Sequence, residues 1–296
     1  MNADRDWSRR RWLAAGAAAA GTALSCDPHG VARGRSRASL WFTYGGRNRE
    51  VLEKLVARFN ASQSDHFIEA VYQGDYYEGL AKLRTAIFAK AAPTFSHVVG
   101  EVIPYLARAG VLEAMNAYPG HDAFDLVPEL GQEKSWVGGG AQPLVALPFN
   151  RSTPIAYFDG DLLDRERISP PRTWDELRVV ARRLTRSKAP VRFGFGCPIS
   201  WWFWVALVGQ AGGQVVEADG RLSLGGAAGV EALRFWQTLV REDGTMRPPP
   251  GRDYNAWEQT NQDFLAGRTA MIWTSTAFLK YLEDNAPFRV VAAPLP

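Results

Sequence analysis

The side chains that could do chemistry in this 296-residue chain are few and widely spaced. The densest aromatic run is Trp201-Trp202-Phe203-Trp204, and an indole face covers the carbon backbone of a polyol or stacks on a sugar ring. At helical spacing the three tryptophans cannot all face one way, so one or two of them belong to a core. Glu101 closes the apolar run SHVVGE (96–101), read as a strand. At a strand's carboxyl end an ionised carboxylate can take two vicinal hydroxyls in charge-assisted hydrogen bonds. Ser152 lies in the polar run 150–153 between Pro148 and Pro154, and Ser275 lies at a helix start, where backbone N–H groups favour an anion. Either serine can donate to phosphate oxygens, and capping or turn chemistry explains Ser275 equally well. Nucleophilic chemistry has less support. Cys197 has Gly196, Pro198 and Ile199 beside it, none of them a base, and reads as a small buried hydrophobe. All four histidines (His29, His66, His97, His121) lie far before it.

Alternating strands and helices must position these groups. Residues 39–44 read as a strand, Gly45-Gly46 as a turn, and Asn48 as the opening of a helix with Val51, Leu52, Leu55, Val56 and Phe59 on one face. Residues 67–72 form the second strand, and 76–91 a helix with Leu80, Leu83, Ile87 and Phe88 inward. Residues 96–101 form the third strand, followed by a helix begun at Pro104. This βαβαβ order implies parallel strands covered by helices, with functional residues at the carboxyl ends. The stretch LPFNRSTPIAY (147–157) reads as a crossing between two α/β units and not as a core strand, because each proline removes a ladder donor.

Beyond it Pro170-Pro171 stops the chain, and Thr173 to Glu176 spells a capping box. Strands are expected at 192–196 and 270–273. Helices are expected from Trp201 towards Gly212, at 227–241, at 253–266, and from a cap at 274–276 to Asn285; 288–293 is apolar.

Apolar residues make up 46% of the chain and aromatics 12%, enough to bury two cores. The net charge of +3 falls to about +1 without residues 1–25, where four arginines face two aspartates, so nothing argues for nucleic acid. Two cysteines, Cys26 and Cys197, do not support a disulfide framework. Residues 1–25 read as a targeting segment: Ser8-Arg9-Arg10-Arg11-Trp12-Leu13 has a twin-arginine character, and the apolar run 13–24 is too short for a bilayer, which needs about 20 residues. Cys26 follows Ala23-Leu24-Ser25, a departure from a lipobox, so lipidation and simple cleavage both stay open, and export is expected either way. Residues 26–38 read as a tether.

Six stretches, in order and spacing, carry a family resemblance: NREVLEKLVARFN (48–60), YQGDY (72–76), AP (92–93) with VGE (99–101), LPFNRSTP (147–154), PRTWDEL (171–177) and FLAGRTAM (264–271). The chain resembles the extracellular solute-binding proteins of ABC importers, within them the glycerol-3-phosphate-binding branch. The resemblance implies a type II periplasmic-binding-protein fold, two α/β lobes joined by crossing strands. It divides the chain into lobe 1 (39–147), a hinge (148–157), an incomplete lobe 2 (158–286) and a return strand toward lobe 1 (287–296). Members are usually longer, so the chain is expected to be truncated at its C-terminus.

The resemblance places ligand contacts on Tyr76, Glu101, Ser152, Trp201 or Trp202, and Ser275. It implies a non-enzymatic, monomeric protein that closes two lobes on a small polar solute and delivers it to membrane permease subunits, without a cofactor or metal. Glycerol 3-phosphate or a glycerophosphodiester is the expected ligand, and a sugar or oligosaccharide is the alternative. Arg151 departs from the small residue often found beside the crossing serine, and either replaces a lost charge or points to solvent. A thiaminase-like transferase using Cys197 is a further alternative that lacks a base.

Overall fold

Strand β1 (Ser36–Phe42) lies between β2 (His66–Tyr72) and β3 (Phe95–Ser96), parallel to both, in a three-stranded sheet. The computed structural model describes residues 34–118, 144–216, 221–247 and 253–296; the targeting segment and residues 26–33 of the expected tether lie outside them. The described chain divides into two units, Met1–Phe149 and Asn150–Pro296.

In the first unit the register runs from Ser36 opposite His66 to Phe42 opposite Tyr72, so the last three residues of the expected tether belong to the sheet. Helices α1 (Gly46–Ser62) and α2 (Tyr76–Phe88) follow β1 and β2. The short core joins Phe42, Tyr44 and Leu52, with Leu40 and Ala70 packed against them. The single apolar face expected on α1 is not buried as a whole: Leu52 is, whereas Val51, Leu55 and Phe59 are exposed. A sheet whose third strand has only two residues is too narrow to cover that face. Phe88, expected inward, is 93% exposed, because it ends α2 just before Lys90 turns the chain at φ 55°. The third strand is also shorter than 96–101. After a last backbone bond at His97 the chain leaves the ladder, and Glu101 sits in a 3-10 turn, Gly100–Val102, which leads into α3 (Ile103–Arg108) with Pro104 in its first turn.

The second unit has a mixed sheet in the order β5-β6-β4-β7. In chain order come β4 (Pro154–Asp159), α4 (Gly160–Glu166), α5 (Trp174–Leu184), β5 (Phe193–Gly196), α6 (Trp201–Gln210), α7 (Ala227–Gln237), α8 (Asp253–Leu265), β6 (Thr269–Ser275), α9 (Leu279–Asn285) and β7 (Val290–Ala293). The expectation that Pro154 excludes a core strand fails. Pro154 is the first residue of β4, where a missing N–H costs least, and Ala156, Tyr157 and Phe158 are buried between β6 and β7. Residues 290–293, expected to return toward the first lobe, pair antiparallel with β4 as an edge of this sheet. All seven residues of β6 are buried, as for a strand covered on both faces.

One face packs Phe158, Phe195, Phe203 and Trp273 with α5, α6 and α7; the other packs Tyr157, Ile272, Phe264 and Leu282. Each such side chain contributes about 1.5–3 kcal/mol. α5 lies so close to β5 that a Cβ on Gly194 would stand 1.9 Å from the Ala181 carbonyl oxygen. The capping box forms in modified form: Thr173 Oγ1 accepts from Glu176 N at 3.1 Å, but the Glu176 carboxylate accepts from Arg172 N at 2.7 Å and not from the cap residue. Asp243 ties the turn after α7 to α5, accepting from Arg178 Nε at 2.9 Å and Arg182 Nη2 at 2.6 Å.

Candidate functional site

In the first unit the carboxyl ends of β1 and β3 and the start of α2 gather a polar–aromatic cluster. His97 extends the β1–β3 pairing, its N–H donating to Trp41 O at 2.8 Å. That places its ring at the strand ends, with Nδ1 2.9 Å from Thr43 Oγ1. The Tyr44 ring lies 4.2 Å from it and the Tyr76 ring 5.7 Å. Tyr76 is held by the start of α2, which the Asp75 carboxylate caps by accepting from Tyr77 N at 2.8 Å and Glu78 N at 2.9 Å. The helix can approach β1 this closely because position 79 is glycine: a Cβ there would come 2.3 Å from the Thr43 methyl. Burial pulls the His97 pKa down to about 4, so the imidazole is neutral at ordinary pH. Glu101 is exposed, four residues further along the chain, where its carboxylate is accessible to hydroxyls.

In the second unit the two candidate serines are brought together by β-pairing. Pro154 stands opposite Ser275. Thr153 N donates to Thr276 Oγ1 and Thr276 N to Thr153 O, each at 3.1 Å, which clamps the segment carrying Ser152 to the end of β6. Ser152 is exposed. Ser275 is 6% exposed; its Oγ accepts from Ala277 N at 3.1 Å, capping the 3-10 turn Thr276–Phe278, and its carbonyl accepts from Tyr157 OH at 3.2 Å. The cap therefore forms, and the serine hydroxyl hydrogen is still able to donate. Tyr157 is pushed up to about 12 by burial and then by the Glu283 charge, which keeps it a neutral donor.

The tryptophans separate as helical spacing requires. Trp204 Nε1 donates to Gly229 O at 3.3 Å, which commits that ring to the α6–α7 contact. Trp201 is 45% exposed at the helix start. Trp202 meets Phe203 edge-on at 5.4 Å and Trp257 of α8 at 5.4 Å. Trp257 in turn stacks on Phe203 at 5.2 Å and on Phe278 at 6.4 Å, so one aromatic array runs from Trp202 to the turn capped by Ser275. Trp257 and His97 are the residues missed by reading the sequence. Trp257 is the one tryptophan in the polar stretch DYNAWEQTNQ, and His97 is the one ionisable side chain inside FSHVVG; both could have been singled out on that ground.

Cys197 is fully buried with Sγ donating to Pro198 O at 3.2 Å. Burial pushes the thiol well above its usual value, against a smaller lowering by the Trp236 indole, so it is a poor nucleophile. Among the described residues no three His, Cys, Asp or Glu side chains converge to hold a metal. Each cluster, taken by itself, combines aromatic rings with hydrogen-bonding side chains.

A family model described as bacterial extracellular solute-binding protein matches residues 45–296. The sn-glycerol-3-phosphate-binding periplasmic protein UgpB of Brucella abortus (strain 2308) is 26% identical over 255 residues, 81% of this chain and 57% of that protein. The chain thus spans less than two thirds of that curated relative. Among solved structures, UgpB from Mycobacterium tuberculosis, in complex with glycerophosphocholine, superposes with a TM-score of 0.74 at 22% identity, covering 89% of this chain and 68% of that one. The GacH receptor of Streptomyces glaucescens, solved unliganded and with acarbose, gives 0.76 at 19% identity over 88% and 67%. The fold is that of the type II periplasmic binding proteins.

Proposed function

The chain belongs to the bacterial extracellular solute-binding protein family, and from that premise we propose that it is the solute-capturing component of an ABC importer. It is an exported, non-catalytic monomer that hands its ligand to membrane permease subunits, tethered to the outer face of the membrane if Cys26 carries lipid. The observation that carries this reading is the family match across residues 45–296, which takes in most of both units. The deeply buried Cys197 thiol argues against the transferase alternative.

The ligand is a phosphorylated polyol, glycerol 3-phosphate or a glycerophosphodiester. The curated relatives are named for glycerol 3-phosphate, which supports this. The residue types support it as well: Tyr76 and Glu101 suit hydroxyls, Trp201 and Trp202 a carbon face, and Ser152 with Ser275 a phosphate oxygen. A saccharide is the second reading. It is favoured by the aromatic array through Trp257, which can stack on a sugar ring without the serines or Arg151. Calorimetric titration of the purified protein with sn-glycerol 3-phosphate, a glycerophosphodiester and maltose decides. Micromolar or tighter binding of a phosphate ester supports the first reading, and maltose binding with no response to either phosphate ester moves the protein to the second. No heat from any of the three would reject both.

A further inference from the structure

The second nitrogen of His97 is unused. Nδ1 is taken by Thr43 Oγ1 at 2.9 Å, and among the described residues nothing bonds Nε2. The ring is only partly exposed and is flanked by Tyr44 at 4.2 Å and Tyr76 at 5.7 Å, at the carboxyl ends of parallel strands where ligands of open α/β sheets bind. Holding a ring there, with one nitrogen fixed and the other presented, is the arrangement that pre-orients a hydrogen-bonding group. A ligand hydroxyl is its natural partner. A neutral imidazole presents either a donor or an acceptor at Nε2, depending on which way the Thr43 bond runs, and a hydroxyl answers both, whereas a phosphate oxygen answers only the donor.

We propose that His97 is a further solute-binding residue of the first unit, reading a ligand hydroxyl through Nε2 beside the Tyr76 ring. This rests on the solute-binding reading above and adds to it a residue that recognises the hydroxylated part of the ligand.

The test uses the two amides that copy one imidazole nitrogen each. The Asn side-chain amide falls near the place of Nδ1 and the Gln amide near that of Nε2. His97→Asn therefore keeps the Thr43 bond and loses the ligand bond, and His97→Gln does the reverse. Titrated with whichever of sn-glycerol 3-phosphate, a glycerophosphodiester or maltose the wild type binds, the Asn variant should bind roughly three- to tenfold more weakly. The Gln variant should stay within about twofold of wild type. Asn at wild-type affinity with Gln weakened would make His97 a positioning residue and overturn the proposal while leaving the solute-binding reading intact. No binding by the wild type to any of the three would overturn both.

Should the Asn variant fail to fold by circular dichroism, nitrogen-15 spectra of the histidine rings in the wild type replace it. On saturation with ligand the His97 Nε2 resonance should move while Nδ1 holds, and an unmoved Nε2 overturns the proposal.

Discussion

Lowering the pH from 7.5 to 4.5 should destabilise the first unit through His97 alone. The native imidazole takes a proton only below about 4, whereas the unfolded chain takes one near the ordinary value of 6.5. Between those values the unfolded state binds more protons, so this contribution is fully present above 6.5, falls as the pH drops, and is exhausted below about 4. A displacement of that size is linked to ~3 kcal/mol in all, of which about 2.5 kcal/mol is lost by pH 4.5. The cause is burial; no neighbouring charge contributes, and the groups that face the ring are Thr43, Tyr44 and Tyr76. Carboxylates also titrate in this range, but they do so equally in a His97→Gln variant. Urea unfolding of both proteins at both pH values therefore isolates the imidazole: wild type should lose about 2.5 kcal/mol more than the variant on acidification. Equal losses would mean that the ring is protonated at its ordinary pKa in the native state, and the burial argument would be wrong.

Three further outcomes are expected. Asp243→Asn should destabilise the second unit by about 1–2 kcal/mol in chemical denaturation, because the carboxylate charge is lost and one of the two guanidiniums faces an amide NH2 in place of an acceptor oxygen; the half-exposed Arg182 keeps the figure towards the low end. Gly194→Ala should cost at least ~3 kcal/mol or prevent folding, read by thermal melting, since the new methyl collides with the backbone of α5 and not with a movable side chain. Arg151→Ala, titrated calorimetrically, should weaken a phosphate ester and leave saccharide binding unchanged if the arginine supplies charge, whereas an unaltered phosphate-ester affinity shows that this arginine does not contact the phosphate.

What could be read in the sequence was whatever depends on near neighbours. The alternation of strand and helix, the cap at Thr173 and the division of labour among Trp201, Trp202 and Trp204 all follow from spacings of a few residues. Two errors arose where a local rule met a tertiary context. Pro154 forbids a ladder bond at its own nitrogen, yet at the head of β4 that nitrogen need not donate, and the strand runs on through Tyr157 and Phe158 in the core. The apolar positions of α1 do share a helical face, but how much of it is buried depends on the width of the sheet beneath, which periodicity does not report. The candidate residues that escaped notice are those whose chemistry is set by distant partners. His97 has one ring nitrogen fixed by Thr43, 54 positions away, and its ring flanked by Tyr44 and Tyr76. Trp257 becomes part of an aromatic array only because α8 packs against Trp202 and Phe203, more than 50 positions earlier in the chain. A side chain such as His97, whose partners lie on a neighbouring strand, is thus silent in one dimension, and it becomes legible once parallel pairing has brought the strand ends to a common edge.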